Sequence, residues 1–323
     1  MIAMTEQDLK QFQEDVAAIL KRDYFPESEG YKINTQIVRK NNNIKKYGIT
    51  ISIPGSTVSP TLYADDYAES HTPEAAAEAI YRRYQAHITE AQDLSQTRVN
   101  DLFDFEKCKD KLVYRIVNRQ KNADIENSCP TIPIAPDLMM VFILQISRDA
   151  SCLIQNNICD TWGLSGDISK QLFEIADTNT EKLHPASLKS MAEVLREMIP
   201  ESLWDEMDLM QPGLPPIYVI TNTDKVYGAS TLLYGNGQLL KDCAKQFYEE
   251  YGTDEFFIIP SSIHECLLVP ARDDITPENL QAMCMEVNAT QVAPDEVLSN
   301  NIFAFDSQNG FRQITDVNRD ISL

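Results

Sequence analysis

Histidine is scarce in this chain, with four residues in 323, so any chemistry that needs an imidazole has few places to sit. Seven cysteines are scattered from Cys108 to Cys284 and no two form C-x-x-C, which excludes a zinc ribbon and a thioredoxin-like motif. An odd number in a chain this long argues for buried thiols in a reducing cytosol rather than a disulfide framework. Long apolar runs are absent too. The most apolar stretch, "LMMVFILQI" at 138–146, falls far short of the roughly 20 residues a membrane helix needs. "MIAMTEQDLKQF" has neither a basic n-region nor an apolar h-region, so no signal peptide is expected and the protein reads as cytoplasmic, without membrane association. No low-complexity tract interrupts the chain, and a folded core is expected rather than disorder.

Positive charge is the next shortage, and it is local. Residues 1–125 hold 17 Lys and Arg against 19 Asp and Glu, whereas residues 126–323 hold 11 against 30. A surface that acidic repels phosphate backbones, so nucleic acid is an unsuitable partner for residues 126–323. A basic patch could lie only early, around residues 32–46 or 107–121. This leaves weak nucleic-acid contact by the N-terminal part as an alternative function.

The catalytic motifs that a sequence shows most clearly are missing. "HECLL" at 264–268 has Leu268 where H-E-x-x-H needs its second histidine. There is no G-x-S-x-G, P-loop or EF-hand, and "GNG" at 235–237 lacks the third glycine of a dinucleotide loop. No cofactor and no metal site is implied.

What is present is a regular alternation of element signals. "TEQDLKQFQEDVAAIL" places Leu9, Phe12, Val16, Ile19 and Leu20 on one stripe, a helix capped by Thr5. "YKINTQIVRK" and "YGITISIPG" read as a hairpin across "NNNIKK", and "HTPEAAAEAIYRRYQAHI" as a helix with Thr72 at its cap and Pro73 at its first turn. This helix–hairpin–helix is expected to form an N-terminal α+β unit over 1–100. A boundary near Asp101 then separates it from a larger α+β domain over 101–323, with "DLSQTRVNDLFDFEKCKDKL" as the join.

In the larger part, 138–146 and 151–158 are expected to pair across "SRDA", the first strand being covered on both faces. Gly163 and Gly166 precede a helix capped by Asp167. "SLKSMAEVLREMI" is predicted to be an amphipathic helix that buries Leu188, Met191, Leu195 and Met198. After the turn "QPGLPP", the order is strand, helix broken at "GNG", two strands, helix and a final hairpin through "DSQNG". The fold class is α+β, with helices packed on antiparallel or mixed sheets.

Two short stretches carry the candidate sites. In "PSSIHECLLVP" the strand period would put His264 and Cys266 on one face and Glu265 on the other. Successive same-face side chains are roughly 7 Å apart, too far for direct activation of the thiol. His264, Ser261 and Ser262, with a nearby acid or thiol, are the residues that a hydrolase or transferase would use. A strand histidine satisfied by a neighbour is the plainer reading. In "YGASTLLY", Tyr227, Ser230 and Tyr234 follow a buried strand, where α/β layers place ligands, so these three are the ligand-binding candidates. Gly228 in the same turn answers a steric need, and the "PSS" turn is the segment that could face it.

The segments "YVITNTDKVYGASTLLY", "FFIIPSSIHECLLVP", "VNATQVAPDEVLSNNIFAFD" and "IQNNICDTWGLSGDISKQLFEIADTNT" resemble signatures of an uncharacterised bacterial family, domain-of-unknown-function family five-six-eight-eight. The resemblance covers essentially the whole chain and implies no activity. Trp162-Gly163, Gly228-Ala229-Ser230, Pro260-Ser261-Ser262 and Pro294 to Leu298-Ser299 are more distantly similar to family one-four-four-four, which implies no reaction either. With no complete catalytic constellation, the leading expectation is a non-catalytic protein that binds a protein partner or a small ligand.

Overall fold

The structure, a computed structural model, describes residues 4–52, 54–55, 59–95, 99–146, 151–199 and 216–314. It divides into two compact units, 1–104 and 105–323. It is an α+β protein whose strands pair antiparallel throughout the described sheets.

The first unit packs α1 (Glu6–Ile19) and α2 (Pro73–Ser95) on a three-stranded sheet of β1 (Lys32–Arg39), β2 (Lys45–Ser52) and β3 (Thr61–Tyr63). The Thr5 side chain accepts from the Asp8 N–H and the Asp8 carboxylate accepts from the Thr5 N–H, a capping box that starts α1. Phe12, Val16 and Leu20 of its predicted stripe are buried against Ile33, Ile49, Ile51, Ile80 and Tyr84. Alternation along β2 turns Ile49 and Ile51 to that core together.

The second unit opens with the short helix α3 (Phe105–Cys108). A four-stranded sheet follows, made of β4 (Leu112–Asn118), β5 (Thr131–Ala135), β6 (Leu138–Gln145) and β7 (Ser151–Leu153), with the one-turn helix α4 (Ile125–Ser128) between β4 and β5. As its two-sided apolar pattern requires, β6 lies inside the sheet, bonded to β4 on one side and to β5 and β7 on the other. The "SRDA" turn between β6 and β7 lies outside the described residues, as does most of "QPGLPP". Helices α5 (Asn156–Thr161) and α6 (Ile168–Leu183) come next, the Asp167 side chain accepting from the Lys170 N–H at the start of α6.

A six-stranded sheet completes the unit in the order β13-β12-β10-β11-β9-β8. Its strands are β8 (Ala186–Ser190), β9 (Tyr218–Asn222), β10 (Phe256–Ile259), β11 (Cys266–Pro270), β12 (Phe303–Phe305) and β13 (Arg312–Gln313), interleaved with α7 (Met191–Met198), α8 (Tyr234–Tyr251) and α9 (Pro277–Thr290). Phe247 of α8 packs edge-on against Phe256, and Phe256 stacks with Phe305, so the aromatic centre of this core spans helix and sheet. No helix among the described residues is long and apolar enough to cross a membrane.

Three expectations about local structure change. The strand expected over 151–158 ends at Leu153, and α5 takes over from Asn156. The helix predicted over "SLKSMAEVLREMI" begins only at Met191, because residues 186–190 pair with β9, Leu188 opposite Ile220. Ser190 closes the strand and opens the helix with its own capping box, and Met198 is left 76% exposed rather than buried. The strand in "PSSIHECLLVP" begins at Cys266, so His264 and Glu265 sit in the turn that leads into it. Ser262 pairs with Val297 in an isolated bridge outside the sheet, two residues before His264.

Candidate functional site

The site grows from a covered edge strand. β4 bonds to β6 on one side only, so outward backbone groups such as those of Tyr114 need other partners. Thr180 of α6 accepts from the Tyr114 N–H at 3.1 Å, and Ser230 donates to the Tyr114 carbonyl at 3.3 Å. Asn179 adds bonds from its amide to the carbonyls of Lys109 and Leu112, at 2.8 and 2.9 Å. These contacts clamp the end of α6 and the 3-10 turn Gly228–Leu233 to the edge of β4.

Between them opens a cleft of about 600 Å³, lined in part by Arg115, Ser151, His184, Asn222, Asp224 and Tyr227. Arg115 stands in the middle of β4. Its guanidinium lies over the Tyr227 ring, 3.4 Å from the centroid, and its Nη2 donates to Ser151 Oγ at 2.9 Å. Burial is not offset by any acid among the described residues, and it pushes the Arg115 pKa down to about 10. The side chain is half-buried, and a cation taken part-way out of water without a counter-ion is disfavoured.

Tyr227 reaches that position through a strained turn. Its φ is 55° and that of Lys225 is 56°, left-handed values that non-glycine side chains rarely adopt. Three bonds hold the turn. The Asn222 amide donates to the Val226 carbonyl at 2.8 Å, its oxygen accepts from the Val226 N–H at 3.2 Å, and His264 Nδ1 accepts the Tyr227 N–H at 3.1 Å. His264 Nδ1 is therefore an acceptor, and Nε2 lies 3.4 Å from Glu296 Oε1. The His264 carbonyl in turn accepts from Thr221 Oγ1 at 2.7 Å. A Cβ on Gly228 would lie 2.3 Å from that carbonyl, so the two turns meet as closely as a glycine permits.

Also lining the cleft, His184 follows α6 and its Nδ1 is 2.7 Å from Asp224 Oδ2. Because a carboxylate only accepts, Nδ1 carries the proton. Tyr234 donates to the His184 carbonyl at 2.7 Å, and burial, reinforced by Glu181 and Asp224, raises its pKa.

Tyr227, Ser230 and Tyr234 thus all line the cleft, in different capacities. Tyr227 offers its ring, while the hydroxyls of Ser230 and Tyr234 are donated to backbone carbonyls that hold the walls. His264, Ser261 and Ser262 are not among its lining residues. Ser262 Oγ accepts from the His264 N–H at 3.1 Å, and Ser261 accepts from the Leu298 N–H through its carbonyl. Cys266 is fully buried, which raises its thiol pKa and keeps it protonated. Early lysines are engaged with acids: Lys45 with Glu6, Lys46 with Asp65 and Asp66, Lys109 with Glu106.

Arg115, Ser151, His184 and Asp224 are absent from the candidates named on sequence grounds. For Arg115 a signal existed, a lone cation inside the apolar run "LVYRIVN". His184 and Asp224 are 40 residues apart and share no pattern.

The profile of a family of unknown function, DUF5688, matches residues 9–307. The chain belongs to this family. No curated protein and no solved structure matches it. The matched DUF5688 span runs through every lining residue of the cleft named above.

Proposed function

We propose that this DUF5688 chain is a binding protein for a small molecule, which sits in the second-unit cleft on the Arg115–Tyr227 pair. One observation carries the reading: a half-buried cation, laid on an aromatic ring and lacking a neutralising acid among the described residues, faces a cleft. Leaving such a charge uncompensated costs stability, and ligand recognition accounts for it directly. The volume falls within the roughly 300–1,000 Å³ of small-molecule pockets. Free thiols, six of the seven buried, fit a cytosolic setting.

The test is a thermal-shift screen of the full chain against a set of common metabolites, repeated on Tyr227→Gly. Glycine accepts the φ of 55° that tyrosine holds under strain, so this variant deletes the ring without disturbing the turn. Compounds that stabilise the native chain should lose their effect on Y227G. A screen without stabilising compounds, or one whose hits act equally on Y227G, refutes binding in this cleft.

A further inference from the structure

We infer that the ligand of this cleft carries a single carboxylate, gripped by Arg115, together with a hydroxyl or amine that donates to the His184–Asp224 pair. The inference rests on the small-molecule reading above and adds the chemical class. Stacking on Tyr227 occupies one face of the guanidinium, and the bond to Ser151 uses one N–H in its plane. The edge of the guanidinium is then what a ligand can meet, through a planar fork of donors whose spacing matches the two oxygens of a carboxylate.

Charge sets the number of such groups. Among the described residues that line the cleft, Arg115 is the one arginine and there is no lysine. A monoanion neutralises it. A phosphate dianion would leave excess negative charge beside Asp224, in a region already holding 11 basic residues against 30 acidic ones over 126–323. The His184–Asp224 pair asks for the reverse polarity. Asp224 accepts from His184 through Oδ2 and, among the described residues, nothing donates to its second oxygen, so the carboxylate can still take a hydrogen bond from a ligand. Anion receptor and donor-seeking carboxylate thus line one cleft, as a hydroxy acid or an amino acid requires.

The experiment titrates the full chain with glycolate, glycine, acetate and inorganic phosphate at matched ionic strength, and follows the unfolding midpoint. Glycolate or glycine should stabilise the native chain more than acetate, and phosphate least; which of the two prevails assigns the donor as hydroxyl or amine. Arg115→Gln should weaken the effect roughly ten- to hundredfold, the loss of a charge-assisted pair, and Arg115→Lys should not restore it. Asp224→Asn should reduce glycolate or glycine to the level of acetate.

Phosphate acting as strongly as the carboxylates, or carboxylate stabilisation that persists in R115Q, overturns the inference. So does the absence of any shift with glycolate and glycine. If neutral or cationic metabolites bind in a Tyr227-dependent way while the carboxylates do nothing, this inference fails and the small-molecule reading survives. If nothing binds, both fail.

Discussion

Gly228→Ala tests the close approach on which the cleft depends. A Cβ at this position would lie 2.2 Å from Thr221 Oγ1, 2.3 Å from the His264 carbonyl and 2.9 Å from the Asn222 nitrogen. Gly228 does not have a left-handed φ, so backbone preference adds nothing and the cost is steric. Relief requires the strand end of β9 and the His264 turn to separate by about 1 Å, with overpacking of this kind costing about 1–3 kcal/mol. The same movement breaks the 2.7 Å bond from Thr221 to the His264 carbonyl, worth about 1 kcal/mol more. The sum, about 3 kcal/mol, lowers the unfolding midpoint of a unit of this size by roughly 6–12 °C. Urea unfolding and calorimetry read it directly. Gly237→Ala is the control, because its φ of 82° imposes a backbone cost of about 1–2 kcal/mol in open space. Thr221→Ala combined with G228A removes one overlap and leaves the two backbone ones, so it should recover only part of the loss. If G228A unfolds within about 0.5 kcal/mol of the native chain, the two turns are not held against each other and the account of Tyr227 placement is wrong.

Removing the Arg115 charge should stabilise the empty protein. Its pKa is lower folded than unfolded, so below about pH 10 the charged form opposes folding, and Arg115→Gln should gain about 1 kcal/mol at neutral pH in denaturant unfolding; a loss would mean the guanidinium holds the walls together. His264→Ala leaves the Tyr227 N–H without its acceptor and should cost about 1–3 kcal/mol, while His264→Asn should recover part of it; a catalytic imidazole would instead show no stability effect. Asp306 accepts from Asn309, Gln308 and Arg312, which lowers its pKa from 3.8 to about 2. Its stabilisation is complete above pH 4 and disappears as pH falls through 2, so Asp306→Asn should flatten the acid limb of the stability profile; an unchanged limb refutes this.

Much of the fold was legible because local signals agreed with their surroundings. Thr5 and Asp167 each cap the helix that the sequence placed after them. The apolar run of β6 occupies the covered interior that a two-sided pattern demands. Where a long-range partner intervened, the reading slipped. Leu188 fits a helical stripe, yet pairing with Ile220 holds it in a strand. His264 fits a strand period, yet the bridge from Ser262 to Val297 leaves it in a turn.

By itself the sequence determined the helix starts, the apolar strands, the imbalance of charge and the need for glycine at 228, because each depends on residues close in the chain or on composition. Only the tertiary structure decided that Arg115 meets Tyr227, and that His184 meets Asp224. Those pairs join a strand, a helix end and a strained turn distant in sequence. They come together because α6 and the 228–233 turn satisfy the backbone of an edge strand, and no periodicity along the chain encodes that closure.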